Sequence, residues 1–357
     1  MSIPPTTYAL KIEGHTKAAV KETKVPALRD DYILVKVAAV ALNPTDWKHI
    51  DYLAPVGHTV GCDYAGTVLA VGPKVTKQFK VGDRVWGITH GANWLQSEDG
   101  SFAQIITAKG DIQQFTPENL SNEEAATLGV GIFTVGQALY QSLGLPLPGA
   151  SNSTVEGKPI LIYGGSTATG ALAIQFAKLS GFTVISTASP SSFDYVKSLG
   201  ADFVFDYNSP TVSADIRAAS KDAIEHVLDC ISEGSSLKIS AESFSAQGGI
   251  YSALLGVDAS VFAAVNPNIK VKSTLAYSVL GEAVSKPAWG IERAPNAEDY
   301  EYAKAFGTLS TKLLAEGKIK VHKPTVNEGG SGLEGVLKGL ALLRGGKVRG
   351  TKLVYTL

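Results

Sequence analysis

The chain has 357 residues, 45% of them hydrophobic and 18% charged, with a formal net charge of −1. A length of this order exceeds one hydrophobic core and suits two domains, and near-neutral charge without a basic run excludes a nucleic-acid or membrane-surface role. No apolar stretch reaches the roughly 18 residues of a membrane span. The opening MSIPPTTYALKIEG lacks a basic region followed by an apolar one, so no secretory signal is expected; Cys62 and Cys230, the two cysteines, are too few for a disulfide framework and suit a reducing cytoplasm.

Residues 1 to about 130 read as strands and tight turns. DDYILVKVAAVALN is rich in β-branched residues, as a buried strand should be, and GCDYAGTVLAVGP and FKVGDRVWG alternate short apolar runs with Gly, Pro and Asp, which predicts a compact all-β unit. From residue 123, EEAATLGVGIFTVGQALYQSLG has helical spacing, and LPLPGASNSTVEGKP reads as a surface loop. From Pro159 strand and helix alternate: PILIYGG, then the helix ALAIQFAKLSG; FTVISTAS, then SSFDYVKSLG; ADFVFDY, then a helix around DIRAAS; then the strands AIEHVLDCI, GGIYSALLG and NIKVKSTLAY. Repeated βαβ units imply a doubly wound parallel sheet, because right-handed crossovers leave no other simple packing. The tail holds a predicted helix, DYEYAKAFGTLSTKLLAEG, and a last strand, TKLVYTL, expected to fold back on the first domain.

The first strand of the alternating block runs into GGSTATG, residues 164–170, and then a helix. A turn of small residues there lets backbone amides approach a pyrophosphate, and the helix N-terminus adds partial positive charge. Of the three glycines usual in such a turn the central one is replaced, with Thr167 and Ala168 in the middle. The turn therefore reads as a dinucleotide site or as a glycine-rich turn without a ligand. An NAD enzyme places a carboxylate after its second strand; here the run is TASPSSFDYVK, with no carboxylate before Asp194. Ser189, Ser191, Ser192 and Lys197 suit a 2′-phosphate, which favours NADPH. The serines also fit a simple helix cap.

VGCDYAGTVLAVGPKVTKQFKVGDRVWG resembles the signature of the medium-chain dehydrogenases/reductases, and ALNPTDWK resembles the zinc-free quinone oxidoreductase branch. SLGLPLP, YGGSTATG, TASPSSFD, FDYNSP and LDCI resemble a narrower group over essentially the whole length: the fungal trans-acting enoyl reductases that serve highly reducing polyketide synthases, of the lovastatin type. The resemblance implies an α/β architecture in which a GroES-like catalytic domain (1–129 and 281–357) holds a Rossmann domain (130–280), with cofactor and substrate in the cleft. It implies NADPH contacts at Thr45, Asp46, Trp47 and Lys48; at Ser166, Thr167, Ala168 and Thr169; at Ser189, Pro190, Ser191 and Ser192; and at Tyr207, Leu254, Leu255, Val348 and Arg349. It implies substrate contacts at Thr127, Leu128, Gly129, Val130, Gly131, Ile132, Phe133 and Thr134, and at Ala276, Tyr277, Ser278, Val279 and Leu280. The partner would be a polyketide synthase whose acyl carrier protein presents the enoyl chain, and the enzyme itself a monomer.

Zinc relatives need a Cys or His cluster for the catalytic ion and four closely spaced cysteines for the structural one. Where a zinc enzyme reads Gly-His-Glu this chain has Gly61, Cys62 and Asp63. Cys62 fits a small buried residue; His49 and His58 lie nearby, but with Cys62 and Asp63 their spacing matches no standard metal site, and no metal is expected. Without a Lewis acid the chain is poorly suited to alcohol oxidation. The expected chemistry is hydride transfer to the β-carbon of an α,β-unsaturated thioester, with the developing enolate held by a backbone amide of 127–134 or by the Lys48 ammonium. Zinc-free relatives often carry Tyr where Lys48 stands, which leaves the proton donor open. Lys48 reads as a catalytic residue or as a solvated strand-end lysine. Tyr64 reads as a core aromatic or a cleft residue, and Asp229 and Cys230 as ligand-facing or structural. Segments 257–268, read as a loop, and 281–300 are expected at the mouth of the pocket. Three other functions remain open on the sequence: a stand-alone quinone or enone oxidoreductase, a nucleotide-binding partner without turnover, and a variant that only moves a double bond without reducing it.

Overall fold

The computed structural model describes residues 3–150 and 155–357, so residues 151–154 of the expected surface loop lie outside the described residues. The chain divides into two compact units, Met1–Phe133 with Tyr277–Leu357, and Thr134–Ala276.

In the first unit β1 (Thr6–Gly14) and β2 (Lys17–Lys24) form an antiparallel hairpin, and β3 (Tyr32–Ala41) is buried along almost its whole length. The ladder stops at Asn43–Pro44, because proline has no N–H to give and its fixed φ suits the first turn of a helix. That helix, α1 (Pro44–Lys48), runs into a π-helical turn, His49–Leu53, closed by Ala54 in the left-handed region at φ 44°. Next come β4 (Asp63–Val71), β5 (Arg84–Ile88), β6 (Ile105–Lys109), β7 (Gln114–Phe115), α2 (Asn122–Ala125) and α3 (Gly129–Val135). The helical stretch expected from residue 123 is thus broken, and after α3 it widens into a π-helical turn, Gly136–Ser142. Gly129, Gly131 and Gly136 weaken it, and the β-branched Val130, Ile132, Thr134 and Val135 add little propensity. The "all-β" expectation for the residues before this stretch is corrected by α1, whereas α2 and α3 lie where helical spacing was expected.

In the second unit β8 (Pro159–Tyr163), α4 (Ala168–Leu179), β9 (Thr183–Ala188), α5 (Phe193–Ser198), β10 (Phe203–Asp206), α6 (Val212–Ala219), β11 (His226–Asp229), α7 (Ser235–Ser243), β12 (Gly249–Ala253), α8 (Ser260–Val265) and β13 (Ile269–Ser273) alternate. The sheet order is β10-β9-β8-β11-β12-β13, every pair parallel. This is the doubly wound dinucleotide-binding order, and its direction reverses beside β8. Segment 257–268 is not simply a loop: Phe262 of α8 is fully buried, its ring centroid 4.2 Å from that of Tyr251.

The chain then returns to the first unit through β14 (Val284–Lys286), β15 (Ile291–Arg293), α9 (Ala297–Ala315), β16 (Pro324–Val326), α10 (Gly332–Arg344) and β17 (Lys352–Thr356). β17 lies between β16 and β3 in a seven-stranded sheet, so the tail does fold back on the first domain. Among the described residues no helix is long and apolar enough to cross a membrane.

Candidate active site

The carboxyl ends of the parallel strands gather four of the segments expected to hold the cofactor: Ser166–Thr169 after β8, Ser189–Ser192 after β9, Tyr207 after β10, and Leu254–Leu255 after β12. The turn after β8 is tight for a physical reason. Gly164 has φ +82°, and a Cβ on Gly170 would run into the Gly164 carbonyl oxygen. Thr167 caps α4, its hydroxyl accepting from the Gly170 N–H at 3.0 Å and donating to the Gly164 carbonyl at 2.8 Å. After β9 the Ser189 hydroxyl lies 3.2 Å from Ser191 Oγ and 3.4 Å from Ser192 Oγ; its side chain makes no cap bond. A cramped turn at a helix N-terminus beside an open cluster of hydroxyls fits a nicotinamide dinucleotide. Asp229 is structural, its carboxylate accepting from the Ile231 and Ser232 amides at 2.8 Å and from the Tyr251 hydroxyl at 2.9 Å. Burial pushes the Cys230 thiol upward, so it stays neutral.

In the first unit, α1 is fixed by buried charge. The Asp46 carboxylate, fully buried, accepts from the Asn43 N–H at 2.7 Å at the start of the helix. Burial, and then the Asp63 charge, raise its pKa to about 7 against the Asn43 hydrogen bond. Asp63 ties three segments together: Oδ1 accepts from the Val130 N–H at 2.6 Å, and Oδ2 from Asn43 Nδ2 at 2.9 Å and Lys352 Nζ at 2.5 Å. The same ammonium donates to Asn43 Oδ1 at 3.0 Å and to the Thr127 carbonyl at 3.1 Å. One ion pair therefore holds Asn43–Lys48 against residues 127–130.

A second buried group surrounds Tyr277. Its hydroxyl lies 2.8 Å from Thr45 Oγ1 and 3.6 Å from Cys62 Sγ, and its ring stacks on His90 at 4.2 Å between centroids. Thr45 Oγ1 is 3.2 Å from His49 Nε2, which lies 2.6 Å from Lys286 Nζ; that amine stands 3.8 Å above the Tyr277 ring. Trp289 closes the group, 5.5 Å from His49. Burial drives the Lys286 amine down to about 7; burial, then Lys286, hold His49 and His90 well below the usual histidine range. Burial keeps the Tyr277 hydroxyl and the Cys62 thiol protonated.

Lys48 ends a helix, not a strand; it is half-buried, with Nζ 5.8 Å from the Trp47 ring centroid. Tyr64 is a core residue whose hydroxyl donates to Gln113 Oε1 at 2.9 Å. In segment 127–134 the Val130 amide is taken by Asp63 and the Ile132 amide by the Leu128 carbonyl at 2.8 Å, so neither stands ready for an enolate. Thr127, Leu128, Ile132 and Phe133 are buried, and Val130 is partly exposed. Ala276, Ser278, Val279 and Leu280 flank Tyr277 in one short helical turn, Ser278 bonded to Asp299, while Val348 and Arg349 precede β17. His58 stands apart from His49, bonded to the Val56 carbonyl and stacked on Trp94. Among the described residues no three His, Cys, Asp or Glu side chains gather to hold a metal ion. A neutral thiol and an amine set against His49 are a poor donor set for zinc. Asn43, His90, Lys286 and Lys352 were not assigned a role from sequence; the signals for them were the ALNPTDWK motif, which carries Asn43, and the expectation that 281–300, which carries Lys286, approaches the pocket.

Two family models match: the alcohol dehydrogenase GroES-like domain over residues 29–116 and the zinc-binding dehydrogenase over 168–283. The chain is 46% identical to the trans-enoyl reductase ACTTS2 of Alternaria alternata, covering 98% of each. It is 55% identical to the trans-enoyl reductase TOXD of Cochliobolus carbonum, over 75% of this chain and 88% of that one. In fold it is similar to the CurK enoyl reductase, with TM-score 0.76 at 18% identity over 98% of this chain and 99% of that one. The quinone oxidoreductase of Coxiella burnetii gives TM-score 0.74 at 24% identity, over 99% of each.

Proposed function

Because the chain belongs to the trans-enoyl reductases of the medium-chain dehydrogenase/reductase family, we propose that it reduces the carbon–carbon double bond of an α,β-unsaturated thioester carried by the acyl carrier protein of a polyketide synthase. The observation that carries the choice of NADPH is the group Ser189, Ser191 and Ser192 after β9, with no carboxylate before Asp194. Hydroxyls accept a 2′-phosphate as a hydrogen-bond partner, whereas a carboxylate repels it.

A nicotinamide dinucleotide, held by the turn after β8 and the serines after β9, would supply the hydride for the β-carbon. The protein's part is orientation and charge. Asp63 and Lys352 fix α1, so that Thr45 and Lys48 keep one position relative to residues 127–130. The Lys48 ammonium, or a backbone amide of 127–134 other than those of Val130 and Ile132, is the donor assigned to the thioester oxygen as enolate charge builds. Two free thiols suit the reducing cytoplasm proposed for the enzyme. Exposed Lys270 and Lys272 on the edge strand β13 disfavour strand-to-strand pairing and support a monomer, checked by light scattering.

The test is oxidation of NADPH beside NADH with an enoyl pantetheine thioester, an enoyl chain on a carrier protein, and a free enone. Turnover with NADPH, fastest on the carrier-bound chain, is expected. Preference for the free enone supports a stand-alone oxidoreductase, and NADPH binding without oxidation of any substrate supports a non-catalytic partner.

A further inference from the structure

Four polar atoms from three segments of the first unit form a continuous hydrogen-bonded series: Lys286 Nζ, His49 Nε2, Thr45 Oγ1 and the Tyr277 hydroxyl, with successive separations of 2.6, 3.2 and 2.8 Å. The first atom is unusual. Lys286 is 2% exposed and makes no ion pair with any carboxylate among the described residues. Burying an ammonium without a counter-charge costs several kcal/mol, so such a lysine is a poor structural choice. The groups facing it are His49 from the π-helical turn after α1, His90 from the loop after β5, Cys62 ahead of β4, and Tyr277 and Trp289 from its own return segment, with the Asp46 carboxyl acting on Cys62 and Tyr277. None is a fixed anion in direct contact with the amine. The last atom belongs to a residue that the functional reading assigns to the substrate.

We propose that Lys286 is the proton reservoir of the reduction, feeding the Tyr277 hydroxyl through His49 and Thr45 so that Tyr277 protonates the α-carbon of the enolate. The proposal rests on the enoyl-reductase reading and on Tyr277 as a substrate contact. Once hydride has reached the β-carbon, the electron pair of the former double bond lies on the enolate. The α-carbon–hydrogen bond forms as the Tyr277 O–H breaks. Lys286 Nζ gives a proton to the lone pair of His49 Nε2, the ring keeping its own hydrogen on Nδ1; Nε2 passes that proton to the Thr45 oxygen as the Thr45 proton moves to the Tyr277 oxygen. Tyr277, Thr45 and His49 end as they began, Lys286 ends as a neutral amine, and solvent reprotonates it between turnovers. Burial supports each role: it keeps Tyr277 protonated until a proton arrives behind it, and it brings the Lys286 ammonium to about 7, where it gives up a proton readily. Lys286 acts through other residues and is a positioning and relay residue; Tyr277 is the group that meets the reacting carbon.

The experiment is the pH profile of kcat on an enoyl pantetheine thioester, with NADPH affinity measured in parallel by fluorescence titration. A required ammonium is present below its pKa and lost above it, so wild-type kcat is expected flat at low pH and falling above about 7. Lys286→Met is expected to lower kcat by about 10²-fold and to abolish that descending limb, with NADPH affinity unchanged. Lys286→Arg keeps the charge but not the acid and is expected to lose the limb too; a merely structural lysine would be rescued by it. Tyr277→Phe keeps the ring and the His90 stack and is expected to slow kcat comparably. A wild-type kcat that does not fall between pH 6 and 9, or a limb surviving in either Lys286 variant, overturns the relay. Full activity of Tyr277→Phe overturns Tyr277 as the proton donor and with it the relay, whereas a slow Tyr277→Phe with intact Lys286 variants overturns the Lys286 reservoir alone.

Discussion

Replacing Lys352 with Met tests whether one buried ion pair holds the first unit together. The Lys352 and Asp63 side chains are 3% and 0% exposed, with Nζ 2.5 Å from Oδ2. Methionine has a similar length but leaves the Asp63 charge buried with only Asn43 Nδ2 and the Val130 amide, and leaves Asn43 Oδ1 and the Thr127 carbonyl without their donor. Breaking a buried pair from one side costs about 3–5 kcal/mol, most of it the stranded charge. For a body of this size that lowers Tm by roughly 6–20 °C, at about 2–4 °C per kcal/mol. Removing both charges, with Asp63→Asn and Lys352→Met together, relieves the stranded carboxylate. The double variant is then expected to be more stable than the sum of the singles by about 2 kcal/mol. The assay is urea unfolding of all four proteins followed by circular dichroism. A Lys352→Met variant within 1 kcal/mol of wild type, or a cycle additive within 0.5 kcal/mol, would refute the reasoning.

Lys48→Ala is expected to lower kcat/KM by about 10²-fold or more with Tm unchanged, since its half-buried side chain ends a short helix; unaltered steady-state kinetics would remove Lys48 from the mechanism. Ser191→Asp puts a carboxylate among the hydroxyls after β9 and is expected to raise the KM for NADPH at least about tenfold while sparing NADH, read from initial rates with each cofactor. Asp46, whose folded pKa of about 7 exceeds its unfolded value, binds more protons folded than unfolded, so its contribution to stability falls as pH rises from about 4 to 7. Asp46→Asn is expected to be more stable than wild type at pH 8 but not at pH 4, with the difference in unfolding free energy growing by about 1 kcal/mol per pH unit between them.

The parts of the molecule that announce themselves locally were legible in the sequence. A parallel sheet buries both faces, so its strands read as apolar runs such as PILIY and TVISTA, and a turn that must be small reads as glycine. The hydroxyl cluster after β9 is contiguous and equally visible. What could not be read is whatever depends on distant chain. Lys286 sits in AVSKPAW, which resembles any polar turn; its burial is decided by His49, 237 residues away. Asn43, Asp63 and Lys352 are individually unremarkable until β17 inserts beside β3. Helix α10, GLEGVLKGLALLR, carries glycines at 335 and 339 that argue against a helix by propensity. They are needed because the Gly330 carbonyl and the Tyr355 ring occupy the space a Cβ would take.

The pairing of β17 with β3 also sets an order of events at the ribosome. The second unit is one unbroken stretch, whereas the first is split around it and cannot close its sheet before β17 emerges. Asp63 waits for a partner 289 residues downstream, which at 5–20 residues per second is about 15–60 s of synthesis. For that interval the nascent β3 edge and an unneutralised carboxylate are open to solvent and to other chains, so crowded expression should tax the yield of this protein more through its early strands than through its nucleotide-binding half.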